Sequence, residues 1–169
     1  MVKFGFQLNM SLVERDRKYC IVRNASGALE TYDIIACFPF TSASKKMSIL
    51  VKSRETGKII YYVKGAETVM EEKIKANCRS SLLESCENLA LDGLRTLVFA
   101  QKLLTEEELE KFLSKLKRAE QKLKNREQHI LRVQTQLETD MDYLGVTGVE
   151  DKLQNNVEST IESLKSAGI

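Results

Sequence analysis

Short apolar runs separated by polar tetrads fill the first two-fifths of the chain, and near residue 67 they give way to apolar positions spaced three and four apart. The runs at residues 4–8, 18–23, 31–38, 47–52 and 58–64 are rich in β-branched and aromatic side chains and predict the strands of an antiparallel meander. Asn24-Ala25-Ser26-Gly27 separates one pair of runs and Arg54-Glu55-Thr56-Gly57 another. Each tetrad ends in glycine, which supplies the positive φ that a hairpin loop needs. Pro39 has no amide donor and is expected at a sheet edge or a bulge.

Beyond residue 67 the period is helical. Over residues 80–92, Leu82, Cys86, Leu89 and Ala90 fall on one face, and Gly93 supplies a stop. Residues 94–100 return the chain to the sheet as a β-type run. Thr105 and Glu108 form a capping box, in which each side chain satisfies a free backbone donor at a helix start. One stripe follows at Leu109, Phe112, Leu113, Leu116 and Leu123, and a second at Ile130, Val133 and Leu137 beyond a polar stretch at residues 125–128. Two helices, or one with a break, are expected, their charge-dense remainder forming a solvated face. Residues 143–149 read as a strand without a parallel partner, followed by a polar helix carrying Leu153, Val157, Ile161 and Leu164; this reads as the edge of another domain, truncated at Ile169. The fold class is therefore α+β, an antiparallel sheet flanked by helices.

Composition narrows the function. The chain of 169 residues is 43% hydrophobic and 30% charged, enough for one core, and its 26 basic against 24 acidic residues leave a net charge of +2. That balance lacks the concentrated positive field of a nucleic-acid binder, and glutamates interrupt the basic stretch at residues 115–126. Cys20, Cys37, Cys78 and Cys86 show no paired spacing and are accompanied by a single histidine, His129, so reduced thiols are expected, not a zinc site or a redox pair. No apolar run approaches the roughly 20 residues of a membrane helix, and no signal peptide opens the chain, which is expected to be soluble. The sequons at Asn9 and Asn24 are expected to be unoccupied.

Catalytic sets are absent: there is no phosphate loop, no nucleophile elbow and no second histidine for a dyad. Three positions near strand ends remain. Phe40 reads first as a core aromatic; only an exposed ring could stack on a planar base. Lys64 ends a strand, where lysines usually face solvent, but Gly65 beside it permits a close backbone approach. Arg95 follows a helix stop, where a guanidinium caps carbonyls or grips phosphate oxygens.

Taken in order, these segments resemble the nucleotide-binding domain of P-type ATPases, specifically the type IV phospholipid flippases, over most of the chain. Phe38-Pro39-Phe40-Thr41-Ser42 with Lys45-Lys46-Met47-Ser48 resembles the family's phenylalanine, threonine, serine and basic-methionine block. Lys64-Gly65-Ala66 resembles its lysine-glycine-alanine motif, and residues 92–97 its glycine-leucine-arginine-threonine-leucine block. Residues 145–154 are similar to the flippase signature that opens the return to the phosphorylation domain, and Phe-Pro-Phe points to the Neo1-like subgroup. Ser44 and Lys46 stand where flippases often carry arginine, and Glu67 where they carry aspartate.

The resemblance implies a nucleotide-binding domain over residues 1–140, incomplete at its N-terminus, and the start of a phosphorylation domain over residues 141–169. It implies that Phe40 stacks on adenine, Lys64 lines the base pocket and Arg95 reaches the phosphates, with Ser42, Lys45 and Gly65 as secondary contacts. ATP is the implied ligand, with magnesium held mainly by residues outside this chain. The phosphorylation loop is expected before residue 1 and the remaining phosphorylation-domain motifs after Ile169, so the chain alone is expected to be inactive. Its implied partners are the phosphorylation and actuator domains of a parent membrane enzyme at the cytosolic face of a Golgi, endosomal or plasma membrane. The competing expectation is a non-enzymatic module whose helices at residues 105–140 dock a partner protein.

Overall fold

The structure, a computed structural model, describes residues 2–150, 152 and 154–169. Its centre is a sheet of seven strands that lie in sequence order, every neighbouring pair antiparallel: β1 (Ser11–Arg15), β2 (Tyr19–Arg23), β3 (Leu29–Phe38), β4 (Lys46–Ser53), β5 (Ile59–Gly65), β6 (Arg95–Leu104) and β7 (Asp142–Val149). The helices are α1 (Val2–Gln7), α2 (Glu67–Met70), α3 (Ala76–Leu91), α4 (Glu106–Glu120), α5 (Arg126–Leu137) and α6 (Val157–Ser166), with a 3-10 turn at Glu71–Lys73. The α+β reading holds. Among the described residues no helix is long and apolar enough to cross a membrane.

Cross-strand register decides which residues form the core, because directly opposed residues share a face. Lys46, Ser48 and Leu50 of β4 oppose Gly65, Val63 and Tyr61 of β5, and Gly65 and Val63 oppose Val98 and Ala100 of β6. On this face pack Met70, Ile74, Leu82 and Cys86 from the α2–α3 region and Leu109, Phe112 and Leu116 from α4. Phe38, Tyr61 and Phe112 meet edge to face or tilted, with ring centroids 6.3–6.4 Å apart. Met47, Ile49, Tyr62, Lys64, Phe99 and Gln101 line the opposite face and are only half-buried.

The hairpin loops form as predicted, with Gly27 at φ +87 and Gly57 at φ +69. Gly93 ends α3 at φ +72, and the Thr105–Glu108 capping box starts α4. The break expected near residues 125–128 falls at Asn125, whose φ of +53 separates α4 from α5.

Several expectations are corrected. Residues 4–8 do not form a strand: Leu8 N–H donates to the Phe4 and Gly5 carbonyls and Met10 N–H to Gly5, closing a helical turn. The alternating phenylalanines bury no face, since Phe4 and Phe6 are both exposed. The outer strand is instead β1, paired with β2. Pro39 lies past the end of β3, not within an edge strand or bulge. Leu123 leaves the α4 stripe and is fully exposed beyond that helix, and Ala90 is exposed on α3. The strand expected at residues 143–149, by contrast, does form, as β7, and pairs antiparallel with β6. Asp151 and Leu153 of the following segment lie outside the described residues.

Candidate functional site

The meander delivers the candidate residues to one end of the sheet. β3 and β5 run toward that end and β4 and β6 start from it, as the pairings Phe38–Ser48, Lys46–Gly65 and Gly65–Val98 require. Residues 39–45 cross from β3 to β4 there. Lys45 N–H donates to the Thr41 carbonyl at 2.9 Å, and the Thr41 and Ser44 hydroxyls lie 2.7 Å apart. This single turn holds Phe40, Ser42 and Lys45 at the surface. The core role expected for Phe40 fails: the ring is 59% exposed, whereas Phe38, two residues earlier, is packed.

Lys64 and Arg95 sit on the neighbouring strands. Lys64 opposes Met47 and Phe99, and Arg95 shares the parity of Phe99 along β6, so both belong to the half-buried face away from the helices. Arg95 lies three residues beyond Val98, the partner of Gly65. At about 3.4 Å per residue this places it about 10 Å farther along the sheet than Gly65. The candidates thus form a graded series at one rim: ring and Lys45 in the turn, Lys64 at the strand end, Arg95 beyond. Gly65 has a role within the sheet as well. A Cβ there would stand 2.9 Å from Lys46 Cβ and 3.1 Å from the Lys45 carbonyl oxygen, so the close approach that glycine permits is to the start of β4.

Behind this rim lies a buried charged cluster that the sequence reading did not find. Lys46 is 5% exposed and Glu138, just past α5, is 2% exposed. The Lys46 ammonium donates to Glu138 Oε2, and Lys73 Nζ lies 3.1 Å from the same oxygen. Tyr61 donates to Glu138 Oε1 at 3.0 Å, and with that proton committed its oxygen accepts from Ser48 at 2.7 Å. Every group is partnered, as buried ions require. Burial pushes the Lys46 ammonium below the ordinary lysine range, with Glu138 opposing the shift. Burial first, then the Glu138 carboxylate, pushes the Tyr61 phenol far above its usual value. Glu138 gave no signal in the sequence because it stands in a polar turn, Glu138-Thr139-Asp140, between two apolar runs; Lys46 drew notice as part of the Lys45-Lys46-Met47-Ser48 block and as a departure from arginine, with no sign that it would be buried.

The segment around Glu138 is held on every side. Lys102 Nζ donates to the Thr139 and Leu137 carbonyls at 2.8 and 3.2 Å, supplying a cation to the C-terminal end of α5. Met141 N–H donates to the Lys73 carbonyl at 2.9 Å, and Lys75 N–H donates to Met141 at 3.1 Å. Lys75 also pairs with Asp142. Two shallow concavities, of about 460 and 270 Å³, lie elsewhere, around Arg15, Arg17 and Cys37 and around Phe6, Ser11 and Arg23. Neither is lined by Phe40, Lys64 or Arg95.

Comparison with known proteins agrees with this architecture. The family model described as P-type ATPase, cytoplasmic domain N, matches residues 2–156. The whole chain is 40% identical to 15% of a protein of Danio rerio named probable phospholipid-transporting ATPase IIB. It is likewise 40% identical to 15% of phospholipid-transporting ATPase NEO1 of Saccharomyces cerevisiae. Phospholipid-transporting ATPase VB of Homo sapiens is 34% identical, the whole chain matching 12% of it. The chain thus spans about 15% of the length of the first relatives it matches. With an antiparallel meander carrying the family's motifs in order and a family match across nearly all of its length, the chain belongs to the P-type ATPases, corresponding to their cytoplasmic domain N.

Proposed function

We propose that this chain is the ATP-binding part of a phospholipid-transporting P-type ATPase, which presents ATP with magnesium to a phosphorylatable aspartate outside these residues and so drives lipid translocation. The observation that carries the reading is the exposed Phe40 ring on the same rim as Lys45, Lys64 and Arg95. A flat apolar face suits the base, and fixed cations set progressively farther along the sheet suit a polyanion. Residues 1–140 serve as the nucleotide-binding unit and residues 141–169 as the start of the phosphorylation domain, with β7 shared with the nucleotide unit's sheet. The partners are then the parent's phosphorylation and actuator domains, at the cytosolic face of a Golgi, endosomal or plasma membrane.

In this reading the magnesium arrives on the ATP phosphates and is held mainly by residues elsewhere in the parent. The competing helical docking module is disfavoured by packing, because Leu109, Phe112, Leu116 and Ala119 of α4 are all buried against their own domain.

Titration of the 169-residue chain with ATP, followed by amide NMR, tests the reading. Saturable shifts are expected at residues 40–45, 64–66 and 95, with weak affinity in the millimolar range. No response at millimolar ATP would overturn it.

A further inference from the structure

We infer that Glu138 is a positioning residue for the nucleotide-binding turn: by clamping Lys46 inside the domain it fixes the backbone that presents Phe40, Ser42 and Lys45. The inference rests on the nucleotide reading above and adds a residue 92 positions from Lys46 in sequence.

The geometry begins at Lys45. Its φ of +49 lies in the left-handed region, which a lysine rarely adopts. Three constraints hold it there. Its N–H is tied to the Thr41 carbonyl at 2.9 Å, its carbonyl accepts from Ala66 N–H at 3.1 Å, and the next residue, Lys46, is anchored by its side chain to Glu138. The left-handed turn at Lys45 stands between an inward, buried Lys46 and an exposed Lys45, so the anchor on Lys46 acts on the residue next to it. Lys46 Cα and Cβ also occupy the space that only a glycine at position 65 leaves open. Moving Lys46 therefore moves both Lys45 and the Lys64–Gly65 strand end, so two segments of the candidate rim depend on one anchor.

Stability alone gives a poor account of the cluster, since buried ion pairs can often be replaced by apolar side chains without loss. A charged pair does differ from an apolar one in direction. Glu138 accepts from Lys46, Lys73 and Tyr61 on two oxygens, and it is itself held by the Lys102 bonds on either side of it and by the Met141–Lys73 bridge. The anchor is rigid at both ends.

The test uses the 169-residue chain, its Lys46→Met, Glu138→Gln and Lys46→Arg variants, ATP titration, and amide exchange at Lys45 and Ala66. Lys46→Met lowers the net charge and Glu138→Gln raises it, so a simple field effect on ATP would move their affinities in opposite directions. Positioning moves them the same way: both are expected to bind ATP about tenfold more weakly, as a binding surface loses preorganisation. Both should also exchange the Lys45 and Ala66 amides faster, while Lys46→Arg keeps affinity within about threefold of the parent. Folded variants that retain the parent's affinity and exchange, or affinities that move in opposite directions, overturn the inference and leave the nucleotide reading standing. Failure of the parent chain to bind ATP overturns both. If the first two variants do not fold, Tyr61→Phe carries the test by deleting one hydrogen bond to Glu138 while keeping the ring. A loss of about two- to threefold with faster exchange then supports the clamp, and parent values overturn it.

Discussion

Phe38 and Phe40 stand two residues apart with opposite fates. Phe38 meets Tyr61 and Phe112 in the core, whereas Phe40 lies beyond the strand and is 59% exposed. Truncating them should separate packing from binding. Phe40→Ala is expected to weaken ATP binding while changing stability by no more than about 0.5 kcal/mol, as at other surface positions. Phe38→Ala should lower stability by about 3 kcal/mol through lost aromatic packing. Melting curves and titrations on the two variants check this together; a Phe40→Ala chain that melts like Phe38→Ala would return the ring to a structural role. At this scale the sequence was informative about residue type and silent about exposure, because Phe-Pro-Phe reads the same whether the second ring faces in or out.

Elements were most legible where local chemistry dictates them. The two glycine-ended tetrads, the Gly93 stop and the Thr105–Glu108 box are satisfied within a few residues of themselves, and each recurs in the fold. Thr105 N–H donates to Glu108 at 2.9 Å and Glu108 N–H donates back to Thr105 at 3.2 Å. Thr105→Ala should therefore cost about 1 kcal/mol of stability. A shift in denaturation midpoint with no change in ATP affinity is the expected result, since Thr105 follows Leu104 at the end of β6 opposite the candidate rim. Elements were missed where several solutions compete. Residues 4–8 alternate like a strand but close their hydrogen bonds locally, and the poorly alternating residues 11–15 become β1 because β2 offers an edge. Glu138 escaped because its partners come from β4, β5 and the 3-10 turn, a convergence that no local pattern encodes.

For the molecule as a whole, alkaline pH should be destabilising, and Cys86 supplies a testable part of that response. Burial, with the nearby Glu67 carboxylate, pushes its thiol from the ordinary 9.0 up to about 11. A raised pKa means that the folded state keeps a proton the unfolded chain releases. The contribution is therefore complete below pH 9.0 and is lost as pH rises through about 11. Tyr61 and Tyr32, both raised, act with the same sign at higher pH. Lys46, lowered, acts with the opposite sign. Denaturant midpoints measured across this window should fall more steeply for the parent than for Cys86→Ala, and parallel curves would remove the assignment.

The order of the strands carries a consequence for how the domain is made. Each strand pairs with its neighbours along the chain, so the sheet can be laid down as the polypeptide emerges from the ribosome, β1 first and β6 complete at Leu104. The contact between Lys46 and Glu138 does not follow that order, because it waits for α5 and the turn beyond it. A nascent chain of six strands thus has its scaffold before the Lys46–Glu138 contact can form, and on the nucleotide reading proposed above the turn that presents Phe40 and Lys45 becomes anchored only once Glu138 has emerged.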